Sequence, residues 1–147
     1  MRGLSRRAAL VLGLGTAAAG VRRARATPSE ADEAIAKFTS GKSAEPGHIV
    51  IDLPEIAENG TAVPLAVTVE SVMTAADRVT DLLVVADGNP NPRVAAFHFT
   101  PLSARAEVAT RIRLNATENV IVVARTGDNR FYTARKEVKV TIGGCGG

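Results

Sequence analysis

The 147-residue chain has no tryptophan, a single tyrosine and four phenylalanines. No large aromatic marks a core, and the basic patches interleaved with aromatics that nucleic-acid binders display are missing. Cysteine occurs once, at Cys145. One thiol excludes an internal disulfide, so packing alone must hold the fold. The two histidines, His48 and His98, lie far from that cysteine in sequence, so the three or four ligands of a metal site are not assembled. There is no nucleophile–base constellation and no haem or flavin motif, which argues against an enzyme and against a resident cofactor. There is no internal repeat, and the only low-complexity stretch is the glycine-rich end.

The chain opens with six arginines and no acid in residues 1–26. Between them runs an apolar stretch from Ala8 to Val21. It is shorter than the roughly 20 residues that span a bilayer, and it suits the apolar region of a signal peptide. Ala24-Arg25-Ala26 offers a small-x-small cleavage site. Ser5-Arg6-Arg7-Ala8-Ala9-Leu10 resembles a twin-arginine export signal, the route by which proteins cross the membrane folded. Either this or an ordinary export signal places the protein outside the cytoplasm. No cysteine follows the apolar stretch, which argues against a lipid anchor. Without the leader, 12 basic side chains face 15 acidic ones, so the basic pI of 9.5 belongs to the signal and not to the mature domain. Neither nucleic acid nor membrane is therefore expected as a partner.

The expected organisation is a signal peptide over 1–26, a β-sandwich domain with an N-terminal helix over 27–142, and a carrier arm over 143–147. Ser29 can cap a short helix with Asp32 three residues on, Ile35 and Phe38 give it one apolar stripe, and Ser40-Gly41 ends it. Strands are expected over 48–53, 62–70, 79–86, 94–99, 105–114, 119–125 and 131–142, with residues 54–60 read as a turn or loop. The alternation of Val63, Leu65, Val67 and Val69 marks a half-buried strand, and the continuous apolar run over 79–86 a central one. About seven strands, turns every 8–15 residues and almost no helix point to an all-β, immunoglobulin-like antiparallel sandwich, with an open barrel as the alternative. Arg105, Arg111 and Arg113 share one strand face, read as solvated. His98, between Phe97 and Phe99, is placed on the opposite face from both, towards solvent, and His48 at a strand start looks inert.

The end of the chain carries the chemistry: Ile142-Gly143-Gly144-Cys145-Gly146-Gly147. Four chance glycines around a given cysteine have odds of about 2 in 100,000 at average composition. Glycines have nothing to bury and resist ordering, so Gly143, Gly144, Gly146 and Gly147 are expected to form a thin flexible arm presenting Cys145. Its reach from Ile142 is roughly 10 Å. No Lys, Arg or His adjoins the thiol, the nearest cation in sequence being Lys139, so activation should come from whatever protein the arm visits.

The ending VKVTIGGCGG, the segments PEIAENG and NPNPRVAAFHFTPLSARAEVATRIRL, and the leader together resemble the Y subunit of the periplasmic sulfur-carrier complex of thiosulfate oxidation, the SoxY family. The resemblance covers roughly residues 52–147. It implies an immunoglobulin-like fold and a covalent carrier in which Cys145 bears the sulfur intermediate. It further implies a heterodimer with a smaller SoxZ-like subunit, and visits to a haem cytochrome that loads thiosulfate as a cysteine S-thiosulfonate. A hydrolase that releases sulfate and a sulfane dehydrogenase would follow. Three rival readings stand beside it. The first is a structural or interaction module whose cysteine forms an intermolecular disulfide. The second is a carrier using its terminal glycine carboxylate, which needs cytoplasmic ATP chemistry. The third is an enzyme.

Overall fold

The structure, a computed structural model, describes residues 29–143. Its elements in chain order are α1 (Glu30–Thr39), β1 (Glu45–Pro46), β2 (Ile49–Asp52), β3 (Ile56–Asn59), β4 (Val63–Val69), β5 (Val79–Ala86), β6 (Arg93–His98), β7 (Ala106–Ile112), β8 (Glu118–Thr126) and β9 (Phe131–Ile142). The strands form two sheets, one ordered β1-β9-β8-β5-β6 with β3 added beside β9, the other β2-β4-β7. Neither sheet closes on itself, so the architecture is the expected immunoglobulin-like sandwich and not a barrel.

The seven expected strands are all present, and two elements were not foreseen. β3 forms inside PEIAENG, which reads as a turn because only Ala57 of the strand's own four residues is buried and no apolar alternation appears. It pairs in parallel with the far half of β9, with Ile56 opposite Lys139 and Asn59 opposite Ile142. β1 is a two-residue parallel contact with the near half of β9. Both are created by the partner strand, which is long enough to serve several neighbours, and not by their own sequence.

Between the sheets, Leu65, Val67 and Val69 of β4 meet Leu82 and Val84 of β5 and Val120 and Val122 of β8, all essentially without exposure. β5 is buried on both faces because α1 covers the other one. There Ala31, Ile35 and Phe38 pack against Leu83, Val85, Ile121, Val123 and Phe131. Phe38 meets Phe131 edge to face at 6.0 Å, the arrangement that aromatic quadrupoles favour. The helix starts where the sequence places it: the Ser29 hydroxyl accepts from the Asp32 amide at 3.2 Å and the Asp32 carboxylate reaches back to the Ser29 amide, a complete capping box. It ends on Ser40 in the left-handed conformation, with Gly41 beyond it also at positive φ.

Candidate functional site

Cys145 and Gly144, Gly146 and Gly147 lie outside the described residues, as does the export signal. What the structure defines is the root from which the arm departs. β9 carries the chain out along β3, where the Gly60 amide donates to the Ile142 carbonyl at 2.8 Å. Leu114 in turn donates to the Gly60 carbonyl at 2.8 Å. Gly143 then lies directly against the Asn115 backbone carbonyl, so close that a β-carbon would overlap the oxygen. Gly143 is therefore required by packing as well as by the freedom that glycine offers.

The loop behind Gly143 is held by a buried carboxylate. Glu118, only 4% exposed, accepts from the amides of Gly88 at 2.7 Å, Asn115 at 2.9 Å and Ala116 at 3.4 Å. Gly88 is needed here too, since a β-carbon would press on the Glu118 side chain at 3.0 Å. Asn89 adds a second tie: its Oδ1 accepts from the Asn115 amide at 2.9 Å and its Nδ2 donates to the Arg113 carbonyl at 2.8 Å. The turn-rich 87–92 segment, the 113–118 loop and the end of β9 thus form one platform. Sequence reasoning missed this platform. Glu118 opens a strand and reads as a surface acid; nothing in its neighbours announces that it is buried among amides.

The three arginines are all exposed, as expected, and differ in their partners. Arg105 pairs with Glu107 at 3.3 Å, and Arg111 reaches the Ala62 carbonyl at 3.5 Å. Arg113, one residue past the end of β7, is exposed beside the platform and makes no side-chain hydrogen bond or ion pair among the described residues.

A second polar cluster sits at the other end of the large sheet. Arg125 faces Phe131 in register, eleven residues before Ile142, or roughly 36 Å at strand rise. There Asp81, 6% exposed, accepts from Arg125 Nε at 2.8 Å and from His98 Nδ1 at 2.5 Å. Burial raises the Asp81 pKa, and the Thr80 hydroxyl, Arg125 and His98 together outweigh it, so the group sits below its ordinary value. His98 does face solvent, as the alternation implied, but its Nδ1 must carry the proton because an ionised carboxylate can only accept. His48, also expected to be inert, lies just before β2 at positive φ and rests on the Tyr132 ring at 4.4 Å. Among the described residues no group of three or more His, Cys, Asp or Glu side chains is placed to hold a metal.

The fold and the glycine that follows β9 define a class of protein, a two-sheet sandwich whose last strand leads into a glycine-flanked cysteine in the sequence. The family described as sulfur oxidation protein SoxY matches residues 35–145, from the helix to the arm cysteine. The sulfur carrier protein SoxY from Chlorobium limicola f. thiosulfatophilum is 35% identical, with a TM-score of 0.63 over 74% of this chain and 90% of that one. The chain belongs to the SoxY family. A superoxide reductase (neelaredoxin) from Ignicoccus hospitalis is 20% identical with a TM-score of 0.57, covering 71% of this chain and 90% of that one. A putative superoxide reductase from Thermotoga maritima is 18% identical with a TM-score of 0.56, covering 70% of this chain and 89% of that one. At that identity these two share the fold alone. No curated protein matches the chain.

Proposed function

We propose that this protein is a covalent carrier of sulfur intermediates in thiosulfate oxidation, with the cargo on Cys145. The observation that carries the reading is that the family match runs through the whole sandwich and on to residue 145, past a Gly143 that lies against the Asn115 carbonyl.

The chemistry sets what the partners must do. Joining thiosulfate to the Cys145 thiolate forms an S–S bond and yields Cys–S–S–SO3⁻ with release of two electrons. A haem cytochrome is the partner that would accept them. Adding water across the terminal S–S bond then yields Cys–S–S⁻, sulfate and two protons, the task of a hydrolase. A sulfane dehydrogenase would oxidise the sulfur that remains. Tethering keeps each intermediate at high effective concentration at the next enzyme. A SoxZ-like subunit completes the carrier as a heterodimer, and the twin-arginine leader delivers it to the periplasm. No helix of the described residues is long and apolar enough to cross a membrane.

The test is complementation of a deletion strain. Cys145→Ser should abolish thiosulfate oxidation, while removal of Gly146 and Gly147 should leave Cys145 loadable. Growth on thiosulfate with Cys145→Ser would refute the reading. Loss of loading on removal of the last two glycines would favour a terminal carboxylate as the reactive group.

A further inference from the structure

The loop over 113–118 grips the end of β9 at two points. The Thr117 hydroxyl accepts from the Val140 amide at 3.0 Å, and the Asn115 carbonyl lies so close to Gly143 that only a residue without a β-carbon fits there. We propose that Glu118 is a positioning residue for sulfur loading: by holding Asn115 in place it clamps Gly143, so that the mobile tether of Cys145 begins at Gly144. The inference rests on the carrier reading above and deepens it, since it assigns the first glycine of the arm a different task from the second.

Three observations carry it. The first is burial. Glu118 is 4% exposed, and its two carboxylate oxygens serve the amides of Gly88, Asn115 and Ala116. A buried carboxylate left short of a donor incurs the desolvation penalty of the unmade bond, so Asn115 does not drift freely. The second is the base on which Asn115 stands. Asn89 Oδ1 shares the Asn115 amide with Glu118, and Leu114, next in the chain, is fully buried and donates to the Gly60 carbonyl. The Asn115 carbonyl therefore meets Gly143 from a fixed loop. The third is the support on the other side. There β3 holds the strand end, with Asn59 opposite Ile142 and the Gly60 amide on the Ile142 carbonyl. Loss of the Asn115 contact leaves the strand end on that single support.

The consequence is a short tether. A carrier that docks on an enzyme and then inserts its thiol performs the second step within the complex, at an effective concentration that falls roughly as the −3/2 power of tether length. With Gly143 clamped, two residues up to the thiol are free, 144 and 145. With the clamp lost, the strand end frays back to Val140, where Ala57 and the Thr117 hydroxyl hold it, and five are free, 141–145. That change lowers the effective concentration about four-fold. The chemistry at sulfur is untouched, so delivery of the thiol alone suffers.

The experiment uses the mature full-length protein with its co-purifying subunit. The wild type is compared with Glu118→Gln and Gly143→Ala, which break the clamp from either side, and with a form carrying three glycines inserted after Gly143, which lengthens the tether and leaves the clamp intact. Phe38→Ala, weakened where α1 meets the start of β9, is the control for lost stability alone. Thiosulfate loading by the haem cytochrome is measured as kcat and as KM for the carrier, and a nitroxide attached to Cys145 reports tether mobility by EPR. The proposal expects Glu118→Gln and Gly143→Ala to raise KM about four-fold with kcat unchanged and to narrow the nitroxide lines, as the glycine insertion does. Phe38→Ala should load like the wild type. An unchanged KM or line shape in the two clamp variants, an insertion that leaves KM unchanged, or an equal change in Phe38→Ala would overturn the positioning role and leave Glu118 a purely structural residue. A wild type that the cytochrome never loads would sink the carrier reading instead, and the nitroxide, attached chemically, would still show whether Glu118 clamps the tether.

Discussion

Gly143→Ala isolates the structural demand at the arm root. The new methyl group would overlap the Asn115 carbonyl oxygen, and one side must yield. Moving Asn115 would break its amide bonds to Asn89 and Glu118 and leave a buried carboxylate short of a donor, costing about 1–3 kcal/mol. Peeling the last residues of β9 from β3 sacrifices the Gly60-to-Ile142 hydrogen bond, about 1 kcal/mol. The second route is cheaper, so the strand end should fray while the platform stays intact. A destabilisation of about 1 kcal/mol lowers Tm by roughly 3–6 °C in a domain of this size. Hydrogen exchange should show the Gly60 amide losing protection and the Asn115 amide keeping it. Unchanged Gly60 protection with Tm within about 1 °C of wild type would refute the close contact and the reasoning built on it.

Glu118→Gln leaves one carbonyl oxygen where two carboxylate oxygens serve three amides, so denaturant unfolding should show a loss of about 1–3 kcal/mol. Phe38→Ala removes a half-buried ring from Phe131 and should cost about 2 kcal/mol, below the full-burial range, with unfolding still two-state by calorimetry. Asp81 titrates below its ordinary value of 3.8 when folded, so its contribution is fully present above that value and is lost as pH falls through the lower folded one. Asp81→Asn should therefore flatten the fall of Tm with pH below about 4, and an unaltered slope would show that the cluster with Arg125 and His98 carries no such linkage.

Much of the fold was legible because its signals are local. The alternation in β4, the unbroken apolar run of β5 and the capping residues of α1 each report their own environment. β3 was not legible, because its pairing is set by β9, more than 70 residues away. The glycine-flanked cysteine stands out in the sequence as a composition anomaly. Its platform was not: Glu118, Asn89 and Arg113 become one unit only when the loops over 87–92 and 113–118 meet. The lesson from Arg113 is particular. On the sequence it is one of three arginines on a solvated face, and Lys139 is the nearest cation to the thiol along the chain. In space Asn89 ties the Arg113 carbonyl to the loop that Gly143 meets.

The central claim, that Cys145 carries sulfur covalently, is tested most directly by intact-protein mass spectrometry of material from cells oxidising thiosulfate, before and after a thiol reductant, with Cys145→Ser alongside. The account predicts reductant-labile additions of sulfur or thiosulfonate on the native chain and none on the serine variant. An unmodified chain, or a disulfide-linked dimer as the sole form, would contradict it and favour a structural role for the cysteine.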